Sequence, residues 1–242
     1  MTQQAEVTRR IPLNRERVLD AAVVLADEVG IESLSMRRLA QELGVVPMAL
    51  YKHVANKEEL LDGMVDAIVG EIAPAVPGPD WKNAVRLRVL SARNSLLRHP
   101  WARQVLETRT HPTPAVLGYM DSFIGMFLAG GFSVDLTHHV MHALGSRMWG
   151  FTQELFGDPG QASQAEVAPE VQAAMFQEMA ARYPNILKVA MAATHDDGSV
   201  VGQGCDNQFE FEFALDLLLD GFERFHRQRW TSQGAKLDHG NK

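Results

Sequence analysis

The chain has 242 residues, a formal charge of −7 and one cysteine; this allows one large core or a small module beside a larger one and excludes an internal disulfide, in keeping with a reducing compartment. A polar start over residues 1–10 and a longest apolar run of 123–129, far short of the ~18 residues of a membrane span, predict a cytoplasmic protein with no membrane partner. A bulk basic footprint is missing too: the first sixty residues carry eight Lys and Arg against nine Asp and Glu, so any hold on a polyanion rests on where Arg9, Arg10, Arg15, Arg17, Arg37, Arg38, Lys52 and Lys57 stand.

In chain order, Asn14 is placed to cap a helix whose Val18, Ala21, Ala22, Leu25, Ala26 and Val29 form one buried stripe, ended by Gly30. Ser35 caps the next. There Leu39, Ala40 and Leu43 share a face, Gly44 sits where a left-handed cap is needed, and Pro47 occupies the first turn of a third helix. Leu50 and Val54 point back into the same core, which leaves Met48, Ala49, Tyr51, Lys52 and His53 outward. Two short helices joined by a glycine turn, the second with a mixed apolar, aromatic and cationic face, have the shape that enters the major groove of DNA. Asn56 and Glu59 resemble a capping box for a fourth helix carrying Leu60, Leu61, Met64, Val65, Ile68, Val69 and Ile72. It is longer than a three-helix module needs and is a candidate lever into the second domain.

Pro74, Pro77, Gly78 and Pro79 break this pattern, and the remainder reads as helical: 81–98, closed by His99 and Pro100, then a short segment from Trp101, then 114–130, 133–156, 169–182 and a looser 185–193. Residues 195–204 read as a loop, and Asn207 with Glu210 as a box for a final helix to about Arg229. The expected architecture is all-α, with a three-helix helix-turn-helix DNA-binding domain over 1–73, its N-terminal arm at 1–13, and a larger helical ligand-binding and dimerisation domain over 74–242. The last helix is apolar on two sides, Phe209, Phe213 and Leu217 on one and Phe211, Leu215, Leu218, Phe222 and Phe225 on another; the helix from Ser133 is similar. Deep burial within one chain accounts for this. So does a four-helix interface between two copies, the favoured account, with Val140, Phe151, Phe211, Leu215, Leu218 and Phe222 as dimer contacts.

Other chemistry is thin. His138 and His142 have the spacing of a metal pair, with His139 beside them, but neither an HExxH arrangement nor a third ligand accompanies them. Gly202, Gln203 and Gly204 lack the strand and third glycine of a dinucleotide loop, and no GxSxG elbow or P-loop is present. Cys205 precedes a helix start, where a thiol can be activated, but a spectator thiol is the simpler account. No catalytic residue, metal or cofactor is expected.

The segment LNRERVLDAAVVLADEVGIESLSMRRLAQELGVVPMALYKHVANKEELLDGM resembles the DNA-binding domain of the TetR family of transcriptional regulators in helix lengths, turn glycine and LYKHVANKEEL, a likeness that runs over residues 13–72. From about 80 to 229, HPWARQVLETR, AGGFSVD and FEFALDLLLDGFERF are similar to the ligand-binding domain of the tetracycline repressor subgroup. The resemblance implies that Ser35, Met36, Arg37, Tyr51, Lys52, His53 and Lys57 lie at the DNA, Arg37 on guanine or on phosphate, Lys57 on phosphate at a helix start. Pro47, Met48 and Ala49 are then the tip of the recognition helix, where base preference varies and apolar side chains favour thymine methyl groups. It also implies a ligand site at Arg88, Ala92, Arg109, Met120, Phe123, His138, Met141 and Trp149, extended by helical spacing to Trp101, Phe127, Leu144 and Met148, and suited to an aromatic or extended hydrophobic molecule. The chain departs from the subgroup in one respect. Ser146 stands where the pattern places a key histidine, although Glu154 is kept, so a magnesium-chelated tetracycline is not the expected ligand. The function implied is a homodimeric repressor released from a palindromic operator by a small-molecule effector; a ligand-independent architectural DNA binder and a helical enzyme are the rivals.

Overall fold

Side-chain caps start the N-terminal helices where the sequence places them. In the computed structural model, which describes residues 12–75, 80–150, 169–185, 188 and 207–234, the Asn14 carboxamide accepts the Arg17 N–H at 2.8 Å and opens α1, Arg15–Val29. The Ser35 hydroxyl accepts from Arg38 N–H at 3.2 Å and opens α2, Met36–Glu42. Gly44 follows with φ +65°, a left-handed turn in which any Cβ is strained. Pro47 begins α3, Pro47–Leu50. Asn56 caps α4, Lys57–Gly70, through the Glu59 N–H at 2.8 Å, and the Glu59 carboxylate reaches back one residue further than the expected box, to the Ala55 N–H at 2.7 Å. Val18, Leu39, Leu50, Leu60 and Met64, all fully buried, form the centre of this head.

Beyond the proline-rich stretch come α5, Trp81–Arg98, capped by Asp80; α6, Trp101–Thr108; and α7, Pro114–Ala129, capped by Thr113. Trp101, Ala102 and Val105 of α6 belong to the same hydrophobic core as α1–α4. By packing, the chain divides into compact units at 1–137 and 138–242, with a hydrophobic core shared across the prolines near residue 74. Trp81, Phe123, Phe127 and Phe132 pack edge-on or tilted at centroid distances of 4.7–5.9 Å. Gly130 permits that approach, since a Cβ there would lie 3.0 Å from the Trp81 Cβ.

The helix α8, Val134–Gly150, runs from the first unit into the second, which also holds α9, Pro169–Arg182, and α10, Asn207–Arg227. All the described elements are helical. Within the second unit Arg147 joins α8 to α10, donating to the Glu210 carbonyl at 3.1 Å and lying 5.2 Å from the Phe211 ring centroid. Of the expected dimer contacts, Val140, Phe211, Leu215 and Phe222 are buried within a single chain, and Leu218 is half-buried. The outward apolar face of α10 is the other one, with Phe209, Phe213 and Leu217 each more than half exposed. Asn207, expected to cap α10 with Glu210, is instead its first helical residue; Phe151, Glu154, Phe156, Cys205, the 195–204 loop, most of 185–193 and most of the N-terminal arm lie outside the described residues.

Candidate functional site

Most of the residues expected at DNA are exposed on the head. Ser35 and Arg37 are exposed at the start of α2, while Met36 is half-buried against the head core. The recognition helix is shorter than its sequence pattern: α3 is a single turn, and Tyr51, Lys52 and His53 occupy the turn that follows, where the His53 and Val54 N–H groups both donate to the Leu50 carbonyl at 2.8 and 3.0 Å. The chain leaves the helix there to bury Val54. Pro47, Met48, Tyr51, Lys52 and Lys57 are exposed, Ala49 and His53 half-buried. Sequence reasoning missed Val46, which is 68% exposed immediately before α3. The signal was available, since an aliphatic side chain is disfavoured at a position that prefers Ser, Thr, Asp or Asn.

A second constellation holds α4. Arg109, expected among the ligand contacts, has a side chain only 14% exposed and pairs with Glu58 at 2.6 Å and Asp62 at 3.1 Å on the first turns of that helix. Burial by itself lowers its pKa, but hydrogen bonds to Asp62 and Glu58 outweigh that and the guanidinium is held charged. At the opposite end of α4, the buried His99 sits between two carboxylates: Nδ1 lies 2.9 and 3.0 Å from the Asp27 oxygens on α1, and Nε2 lies 3.2 Å from Glu71. Arg98 donates to Glu71 at 2.6 Å and Ser95 to the Ile68 carbonyl at 3.1 Å. Trp101, also expected at the ligand, donates its indole N–H to Asp27 at 2.6 Å from within the head core. Nothing local in the sequence marks Asp27, Glu71 or His99, because partners 28 to 72 residues apart are set by packing.

Of the remaining expected ligand residues in the first unit, Arg88 is buried and donates to the Ala73 carbonyl at 3.2 Å and to Ser122 at 2.6 Å, with its guanidinium 4.8 Å from the Tyr119 ring centroid. Its Nε is buried without a partner among the described residues. Burial raises the Tyr119 pKa, against the opposing pull of Arg88, and so keeps the phenol neutral. Tyr119 stacks on Phe123 at 5.8 Å. Ala92, Phe123 and Phe127 are buried, and Met120 is exposed. In the second unit His138 is exposed, Met141 and Met148 are half-buried and Leu144 is buried; the side chain of Trp149 lies outside the described residues. An open groove of about 800 Å³ runs along α5 past Leu87, Leu90, Ser91, Asn94, Leu97 and Arg98 and shares no residue with the expected ligand set.

Residues 18–64 match the family described as bacterial regulatory proteins, tetR family, and residues 73–225 match the tetracyclin repressor-like C-terminal domain. The chain belongs to the TetR family. TetR-family proteins are transcriptional regulators rather than enzymes, and they join a helix-turn-helix head to a ligand-binding C-terminal domain. An HTH-type transcriptional regulator of Saccharopolyspora erythraea is 36% identical over 121 residues, 50% of this chain and 51% of that protein, so the likeness spans about half of each. The HTH-type transcriptional repressor DrrR1 of Streptomyces coeruleorubidus is 30% identical over 225 residues, 90% of this chain and 80% of that one. The TetR family protein ActR of Streptomyces coelicolor, solved in complex with actinorhodin, superposes with a TM-score of 0.64 at 25% identity, covering 88% of this chain and 98% of ActR. The first match ends within α4 at residue 64 and the second begins at residue 73, while α6, past both boundaries, packs into the head core.

Proposed function

We propose that this chain is a cytoplasmic, homodimeric repressor that holds a near-palindromic operator through Ser35, Arg37, Tyr51, Lys52, His53 and Lys57 and releases it when a hydrophobic or aromatic small molecule enters the domain over 74–242. The observation that carries the reading is the double grip on α4, by Arg109 at its first turns and by His99, Arg98 and Ser95 at its end. A helix held at both ends by the segment 95–109 transmits a displacement of that segment to the head. Ligand and operator then oppose one another by the same factor, and a coupling of ~1 to 3 kcal/mol gives a ~5 to 150-fold effect. The buried, incompletely satisfied Arg88 beside Tyr119 and Phe123 supports an effector with an aromatic body and a polar handle. That the similar ActR is solved in complex with actinorhodin supports a small-molecule effector.

Dimerisation is supported by the exposed stripe of Phe209, Phe213 and Leu217. Two heads on a two-fold axis need half-sites about one turn, roughly 34 to 36 Å, apart. The test is selection of genomic fragments by the full chain. One enriched near-palindrome with that spacing is expected, bound by wild type and lost in Tyr51→Ala, with Tyr51→Ala still dimeric by light scattering and Phe213→Glu monomeric. A chain that enriches no fragment contradicts the reading, and one whose operator affinity no co-purified small molecule alters is an architectural binder instead.

A further inference from the structure

The N-terminal end of a recognition helix is the part that reaches base edges. Here that end is Val46, Pro47, Met48 and Ala49; none of these side chains carries a hydrogen-bond donor, and the Met48 thioether is only a weak acceptor. Val46 and Met48 are nonetheless the two most exposed large apolar side chains among the described residues of the head, at 68% and 71%. Part of the backbone at the tip is already engaged, the Val45 N–H by the Ala40 carbonyl and the Val46 carbonyl by the Ala49 N–H, both at 2.9 Å. Exposed Arg37, Lys52 and Lys57 in the same head supply the cations that favour a duplex over a protein as the occupant of this apolar tip.

We propose that Val46 and Met48 read the C5-methyl groups of thymine, so that the base pairs under the tip of each half-site are specified by methyl contact rather than by hydrogen bonds; this rests on the operator-binding reading above. The major groove offers acceptors, donors and one apolar feature, the thymine methyl. A side chain without polar atoms gains by burying that methyl. Pressed against guanine N7 and O6 or cytosine N4, the same side chain strips water from polar groups and returns no hydrogen bond. Attraction to T·A and penalty against G·C therefore point the same way. Val46 is a specificity residue in this account, although it stands before the first residue of α3.

The experiment uses the full chain and the enriched genomic fragment, resynthesised with single thymine-to-uracil replacements that remove one methyl and nothing else. Fluorescence anisotropy then gives the affinity for each duplex. At one or two thymines per half-site, removal is expected to weaken binding about fourfold, the factor for withdrawing one methyl-sized group from an apolar contact. In Met48→Ala and Val46→Ala, whose exposed sites leave the melting temperature unchanged, the penalty at the matching thymine disappears. Equal affinity for every uracil duplex overturns the proposal and leaves operator binding standing, and penalties that persist in both variants overturn the assignment to these two residues. Failure to enrich any fragment removes the operator reading itself, a result distinct from the other two.

Discussion

The tip of the head and the underside of α4 are separated by about ten residues of sequence and treat their side chains in opposite ways. At Val46 and Met48 apolar groups face water without a covering element. At Glu58, Asp62 and Glu71 acidic groups meet Arg109, Arg98 and His99 across the fold. Charges are paired where α4 is held, although Arg109 Nε and Asp66 Oδ1 are buried without a hydrogen-bond partner among the described residues, and the apolar tip is unmatched where a duplex would complete it. An exposed apolar tip of this kind is expected at a functional surface.

That contrast can be broken by measurement. The largest effect is expected beneath the tip: Leu39→Ala should lower unfolding free energy by about 2 to 5 kcal/mol, while Met48→Ala, nine residues on, should stay within about 0.5 kcal/mol, both from urea denaturation. Comparable losses would mean that the tip is structural. Next comes the grip on α4. Arg109→Ala should cost about 1 kcal/mol in the same assay, at the low end for a charged hydrogen-bonded pair because Glu58 and Asp62 remain in contact with water. A neutral result would remove the matched side of the comparison. The smallest effect is a pH dependence. Burial raises the Tyr119 pKa in the folded chain, so the stability it contributes is complete below the ordinary tyrosine value of about 10 and is lost as pH rises through the higher folded value. Wild type should lose urea resistance between about pH 9 and 11 more steeply than Tyr119→Phe, and parallel slopes would show that the phenol is not the titrating group.

What the sequence discloses follows the range of each interaction. Asn14, Ser35 and Asn56 cap helices by bonds spanning three residues, and Gly44 sets a turn by its own backbone, so these features are legible without any tertiary knowledge. The His99–Pro100 break between α5 and α6 is legible for the same reason. The two sides of α10 are visible as a pattern, but which is inside depends on what packs against it, and the expected interface fell on the buried side. The intramolecular partners of Arg109 and Trp101 were not legible for a related reason. Long polar side chains take partners 47 to 74 residues away, and no spacing rule reports that choice.

The proposed release requires the grip on α4 to carry the effector's influence to the operator. Its most direct test measures affinity for the enriched fragment in wild type and Arg109→Ala, each with and without the small molecule that co-purifies with the chain, identified by mass spectrometry. Wild type should bind the operator ~5 to 150-fold more weakly when the molecule is present, and in Arg109→Ala that ratio should fall to near one. Release of the same size from both proteins would show that the grip on α4 is not the route.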